Sequence, residues 1–257
     1  SSAASDVYKR QLESEAQLEK SLRQQESEAA RLRQLIEQSR FAQLQSQINP
    51  HFLYNTLECI RGQALMDGNT SVADMLEALG NFFRYSISRR ENVVTLADEI
   101  NNIRSYMLIQ NYRFLNRYQF ELEFLEDEEP LLGCYVPKLT LQPIVENALI
   151  HGFQNQKSGC VTLTVDASDS MLMLTISDDG EGMDAAVLEE LNRKIQSRQT
   201  LLRKPASHGN GIALQNVNRR IMMLYGRSYG LHAYSTPGRG TDVEIILPRI
   251  TKAEVTP

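Results

Sequence analysis

The sequence predicts an α+β protein in which helices come first and a two-layer α/β sandwich follows. Three observations predict it. From about residue 8 to residue 44 the chain is rich in Glu, Gln, Arg, Leu and Ala and contains neither Gly nor Pro. Beyond residue 118, segments with strand-like alternation take turns with segments of helical periodicity. In that second half, six of the fourteen glycines fall in three Gly-x-Gly pairs, Gly180/Gly182, Gly209/Gly211 and Gly238/Gly240, which is not scattered turn usage.

The composition narrows the class. A chain of 257 residues has room for about two domains. A formal charge of −5 gives no reason to propose nucleic acid as a partner. Cys59, Cys134 and Cys160 are odd in number and far apart, which suggests reduced thiols in a cytosolic setting rather than a disulfide framework or a zinc site. No apolar run approaches the ~20 residues of a membrane helix, and no signal peptide is expected.

Each element has its local reason. Leu18, Leu32, Leu22, Ala29 and Ile36 lie on two seven-residue series interrupted by Gln25, Ser39 and Gln43, a weak seam. So polar a helix is either a solvated single helix or, as favoured here, a dimerising coiled coil. Asn49 suits an N-cap and Pro50 a first helical position, so the helix kinks or restarts there. Ile48, Phe52, Leu53, Leu57, Ile60 and Ala64 then define an expected buried face, while His51, Asn55, Glu58 and Gly62 form a polar stripe. Residues 67–70 read as a turn, with Ser71 as cap of a second helix bearing Val72, Met75, Leu76, Leu79, Phe82 and Phe83. Two such helices make a hairpin, and two hairpins from two chains make a four-helix bundle. Thr95 and Asp98 form a capping box for a helix running to about residue 114.

The remainder is expected to alternate: strand 118–126, helix 138–151 started by Pro137, strands 161–167 and 171–177, and helix 184–197. A polar basic loop over 198–208, helix 212–225 and strands 231–234 and 242–247 complete it.

Several residues carry possible chemistry. Glycine pairs expose amide N–H groups and permit close backbone approach, both useful around phosphates. Gly209/Gly211 directly precedes a helix, whose N-terminal end favours an anion. Glu146 and Asn147 offer hard oxygens suited to Mg²⁺, with His151 one turn on; an exposed polar pair is the plainer reading. Asp178, at a strand end, is either a turn acid or an acceptor for an adenine amino group. The phosphate-loop pattern and the protein-kinase signatures are absent, which points to a different nucleotide fold.

From about residue 44 to the C-terminus the chain resembles the LytS/YesM-type sensor histidine kinases. Gln47-Ile48-Asn49-Pro50-His51-Phe52-Leu53-Tyr54-Asn55 is similar to their phosphoacceptor box, and Leu141-Gln142-Pro143-Ile144-Val145-Glu146-Asn147-Ala148 to the N box. Asp178-Asp179-Gly180-Glu181-Gly182-Met183 resembles the first glycine box, and Gly209-Asn210-Gly211-Ile212-Ala213-Leu214-Gln215-Asn216-Val217 the second, with Ala213 where Gly is more usual.

The resemblance implies a fold and a set of roles. The division would be a coiled-coil signalling helix at 1–44, a dimerisation and phosphotransfer hairpin at 45–94, a linker helix at 95–117, a Bergerat-type ATP-binding domain at 118–250 and a tail at 251–257. His51 would be autophosphorylated from ATP and would then pass the group to an aspartate of a response regulator receiver domain. Glu146 would orient or deprotonate His51, and Asn55 would hydrogen-bond its imidazole. Asn147 would hold Mg²⁺. His151, Asp178, Gly180, Gly182, Met183, Gly209, Gly211, Ile212, Leu214 and Thr241 would line the nucleotide site. Arg203 and Lys204 belong either to phosphate neutralisation or to a solvated basic loop. The chain would act as a homodimer and as the cytoplasmic portion of a bacterial membrane protein, meeting the membrane only through segments before residue 1. The same ATP fold also serves ATPases that drive conformational change without histidine transfer.

Overall fold

The computed structural model describes residues 50–87, 92–197 and 211–251. The expectations for the coiled coil, for Gly209 and for Arg203 and Lys204 lie outside those residues. The chain divides into two compact units, residues 1–53 and 54–257. Of the first unit the described residues are the opening of helix α1, Pro50–Met66. His51 is exposed there, and so is Phe52, at 70%.

In the second unit, α1 is followed after a two-residue turn and Asn69 by α2, Thr70–Ile87. Asn69, not Ser71, caps α2: its Oδ1 accepts the Val72 N–H at 3.2 Å. Arg84 lies over the Tyr54 ring and Arg61 Nη1 lies 3.8 Å from Glu77, so numbers rise on one helix as they fall on the other, and the pair is an antiparallel hairpin. The expected apolar face of α1 is only partly buried: Leu57 and Ala64 are, whereas Ile60 is 48% exposed. Within one chain that stripe has too little opposite it.

Strand β1, Val93–Thr95, leads into helix α3, Leu96–Arg113. The capping box is present as expected, with the Thr95 side chain accepting from the Asp98 backbone and the Asp98 side chain from the Thr95 backbone. Strand β2, Tyr118–Phe124, the short helix α4, Glu128–Leu132, and strand β3, Tyr135–Pro137, follow. β1 and β3 pair antiparallel, a small sheet that the short apolar runs did not signal.

Pro137 therefore does not start a helix. It ends a strand, and helix α5, Gln142–Asn147, begins five residues later with Pro143 in its first turn. Between them the backbone N–H groups of Leu139, Thr140 and Leu141 all turn onto the Glu99 carboxylate of α3, with Leu139 in the left-handed region at φ 58°. That distant carboxylate outweighs the helical preference of the segment. α5 runs on as one wide π-helical turn, Ala148–Gly152.

The main sheet has the order β2-β4-β5-β7-β6, with β4 at Gly159–Ala167, β5 at Met171–Asp178, β6 at Gly230–Thr236 and β7 at Gly240–Pro248. Only β2–β4 is parallel. Val161, Leu163, Val165, Leu172, Leu174, Ile176, Val243, Ile245 and Leu247 alternate into one buried face, against helices including α3, α5, α6 (Ala185–Gln196) and α7 (Ile212–Tyr225). Thr162, Thr164, Thr175 and Glu244 occupy the other face, so the sandwich has two layers, as predicted.

The exposed edge of β6 is covered by amides rather than by another strand. Asn192 exchanges two hydrogen bonds with the Ala233 backbone at 2.8 and 3.0 Å, and buried Asn218 takes the Leu231 N–H at 2.8 Å while donating to the Ile195 carbonyl. These side chains imitate a neighbouring strand and lock α6 and α7 onto the sheet. Among the described residues Cys59, Cys134 and Cys160 form no disulfide. Among the described residues no helix is long and apolar enough to cross a membrane.

Candidate functional site

A cavity of about 470 Å³ opens between α5, α6, the end of β5 and the start of α7. α5 and its π turn present Ile144, Asn147, Ala148 and His151 to it, positions that share one helix face. Ile176, Leu214 and Val243, all buried, make its apolar wall, and Asp178 and Thr241 stand together at its back, paired across β5 and β7.

Asp178 is the most perturbed group in the cavity. Burial pushes its carboxyl up to about 6, with Asp179 and Asp242 adding to the rise, while the Gly180 N–H donated to Oδ1 at 3.0 Å opposes it. Close main-chain contacts fix its position. A Cβ on Gly180 would stand 2.4 Å from the Gly152 carbonyl, and one on Gly240 would stand 1.8 Å from the Asp178 carbonyl. Packing alone therefore requires glycine at both positions.

Asn147 supplies the second signal. Its Nδ2 is buried with no partner among the described residues, and Asn147 lines the cavity. An orphaned buried amide costs free energy unless a ligand satisfies it. Its two ends, one donor and one oxygen, suit a phosphate oxygen and a hard cation such as Mg²⁺, so the residues present fit that ion.

At the mouth, Gly211 caps α7 with φ +101° and, among the described residues, no side-chain cap bond, and the N-terminal end of this fourteen-residue helix favours an anion. Met183 is held by its N–H, which donates to Ser235 Oγ at 2.8 Å; that hydroxyl in turn donates to the Gly240 carbonyl. The arrangement can take a flat apolar ring whose amine meets Asp178 and whose anionic tail extends towards α7.

Of the residues expected from sequence, the fold brings Asn147, His151, Asp178, Gly182, Met183, Gly211, Leu214 and Thr241 to this one cavity. Gly180, buried behind Asp178, and half-buried Ile212 are not on its wall. Glu146 lies one residue off the cavity face of α5, half-buried, with Oε1 accepting from Gln142 Nε2 at 2.7 Å. Asn55 is exposed on α1, and Ala213 is exposed on α7.

Sequence reading missed a whole wall. Ala186, Val187, Glu190, Leu191 and Lys194 of α6 line the cavity, with Lys194 Nζ 3.4 Å from Glu190. Their pattern is that of an ordinary amphipathic helix, and nothing in it distinguishes a ligand from a core. Gly152 was missed as well, although a glycine directly after His151 was a usable signal.

Comparison with known proteins agrees with this geometry. Residues 39–118 match the family model described as histidine kinase. Residues 137–251 match the one described as histidine kinase-, DNA gyrase B-, and HSP90-like ATPase. Sensor histidine kinase YesM of Bacillus subtilis (strain 168) is 35% identical over 215 residues, 83% of this chain and 34% of that protein. Sensor protein LytS of Bacillus anthracis is 30% identical over 217 residues, 84% of this chain and 35% of that protein. Sensor histidine kinase YpdA of Escherichia coli (strain K12) is 30% identical over 224 residues, 86% and 36% respectively. The chain thus spans about a third of the length of these relatives. With both family models matched in order and the cavity built from the N-box and glycine-box residues, the chain belongs to the histidine kinases of the LytS/YesM type.

Proposed function

We propose that this chain is the kinase portion of a two-component sensor: it binds ATP in the cavity beside Asp178, phosphorylates His51 and passes the phosphoryl group to an aspartate of a response regulator. The observation that supports this best is the convergence of Asn147, Asp178, Met183, Gly211 and Thr241, drawn from separate stretches of sequence, on a single cavity. In this reading Asp178 takes the adenine amino group, Ile144, Ile176 and Leu214 hold the ring, and the N-terminus of α7 receives the phosphates. Gly182 and Met183 close over the ring, and His151 and Thr241 border it.

Asn147 would hold Mg²⁺, which when bound neutralises charge on the phosphate oxygens. His51 forms a bond from an imidazole nitrogen to the terminal phosphorus as the bridging P–O bond to ADP breaks. Glu146 accepts the remaining imidazole proton or orients the ring. Asn55, one turn from His51, hydrogen-bonds the imidazole. The exposed Phe52 and Ile60 suit burial against a second copy, so the working form is a homodimer with the helical region at 45–94, the linker helix at 95–117 and the ATP-binding region at 118–250. We place this portion in the cytoplasm, joined to the membrane through segments before residue 1.

Incubation with γ-labelled ATP tests the proposal. Acid-labile label on the wild-type chain that disappears in His51→Gln is the expected result. Free phosphate with no labelled protein overturns it in favour of an ATPase without histidine transfer.

A further inference from the structure

Helix α3 carries Glu99, Asn102 and Tyr106 at positions i, i+3 and i+7, all buried on one face. The three reach the same place. Glu99 holds the main chain of residues 139–141 on entry to α5. Asn102 Nδ2 donates to Gln142 Oε1 at 2.7 Å, and Gln142 Nε2 donates to Glu146 Oε1 at 2.7 Å. Tyr106 lies near enough to Glu146 for that carboxylate to add to the rise that burial imposes on its hydroxyl.

The polarity of this chain of bonds follows from its end. A carboxylate takes donors, so Gln142 must turn its NH₂ towards Glu146 and leave Oε1 for Asn102. Asn102 must then present its own NH₂, and its Oδ1 is left buried without a partner among the described residues. A buried acceptor left unmet costs free energy, and the amide pair keeps an orientation that serves Glu146. Gln142 is in addition held from both sides, which fixes the side chain that holds the carboxylate.

We infer that Asn102 and Gln142 are positioning residues that hold the Glu146 carboxylate in line for proton transfer. The inference rests on the phosphotransfer reading above. It also makes α3, the helix that joins the hairpin to the sandwich, the element that sets the geometry of Glu146: any rotation of α3 moves Asn102, and Gln142 moves with it.

The test uses the whole chain and a double-mutant cycle. Gln142→Met keeps the volume and removes both amide ends. The initial rate of His51 labelling at saturating ATP should fall about tenfold, a fraction of the roughly 10²–10⁴-fold that acid–base groups supply. KM for ATP and the affinity for a fluorescent ATP analogue should stay within about twofold of wild type. Asn102→Leu, which leaves Gln142 in place but unanchored, should give a smaller loss of the same kind. On a Glu146→Ala background, Gln142→Met should change the residual rate by less than about twofold, because it has nothing left to position. A loss of equal size on that background, a loss carried by weaker nucleotide binding, or no loss in either variant overturns the inference alone. A wild-type chain that takes no label overturns the phosphotransfer reading and this inference with it.

Discussion

The Asp178 carboxylate leaves no room for a side chain at Gly152: a methyl group placed on Gly152 would stand 2.9 Å from Asp178 Oδ1. The end of β5 and the end of the π turn therefore lie too close to admit a side chain between them. Gly152→Ala must push the carboxylate aside. The expected outcome is nucleotide binding weaker by about tenfold with a stability loss of roughly 1–2 kcal/mol. Titration calorimetry with an ATP analogue and urea unfolding measure the two separately.

The raised ionisation of Asp178 has a definite sign. Its folded value of about 6 lies above the ordinary 3.8, so the folded protein binds the proton more tightly than the unfolded chain. This contribution favours the fold at low pH and is lost as pH rises from about 4 through about 6; its size is on the order of 3 kcal/mol. Asp178→Asn should accordingly raise the melting temperature by a few degrees at pH 8, change it little at pH 4, and abolish nucleotide binding. Calorimetric melts of both chains at the two pH values check this.

Wild-type nucleotide affinity should itself depend on pH. The adenine amine needs an acceptor, and a protonated carboxyl is a poor one. Affinity should be flat above about pH 7 and fall as the pH drops through 6. Fluorescence titration across pH 5–8 reads it. A flat profile would remove Asp178 from the adenine site.

Gly240 has two reasons to be glycine, its φ of +92° and the Asp178 carbonyl 1.8 Å from any added Cβ. Gly240→Ala should cost at least about 3 kcal/mol and lower the urea midpoint without altering the m-value.

Glu99 is fully buried and accepts three backbone N–H groups and the Tyr85 hydroxyl. Nearby, the Arg220 guanidinium donates to the Leu139 carbonyl at 2.7 Å and is pushed down by burial, a shift that Glu99 opposes. Glu99→Ala strands all of these and should destabilise by roughly 3–5 kcal/mol. Glu99→Gln retains the volume and one acceptor and should cost about half as much. Equal losses in the two variants would mean that the lost carboxylate, not the cavity left behind, sets the cost.

What could be read from the sequence divides by range. The Thr95–Asp98 capping box, the helix opening at about residue 184 and the helix ending at Tyr225 depend on neighbours a few residues away, and all were legible. The turn at 138–141 was not, because its geometry is dictated by a carboxylate about forty positions earlier in the chain. The same holds for the cavity. Its strand-end acid and glycine boxes are chemically unusual and stood out, whereas Val187, Glu190 and Lys194 look like any solvent-facing helix until the fold sets them opposite Asp178. Glu146 shows the limit from the other side: its neighbour Gln142 was quoted in the motif, but only coordinates reveal that the two are bonded.

The π-helical turn at Ala148–Gly152 carries a consequence for insertions and deletions. A wide turn of this kind holds one residue more than the α-helix it interrupts. Removing one residue before His151 would let the segment close as an ordinary α turn with the exit of the chain nearly unchanged, whereas adding one would turn everything beyond it by about 100°. Gly152 would then leave Asp178, and His151 would leave the cavity. The stretch has room to lose a residue but none to gain one.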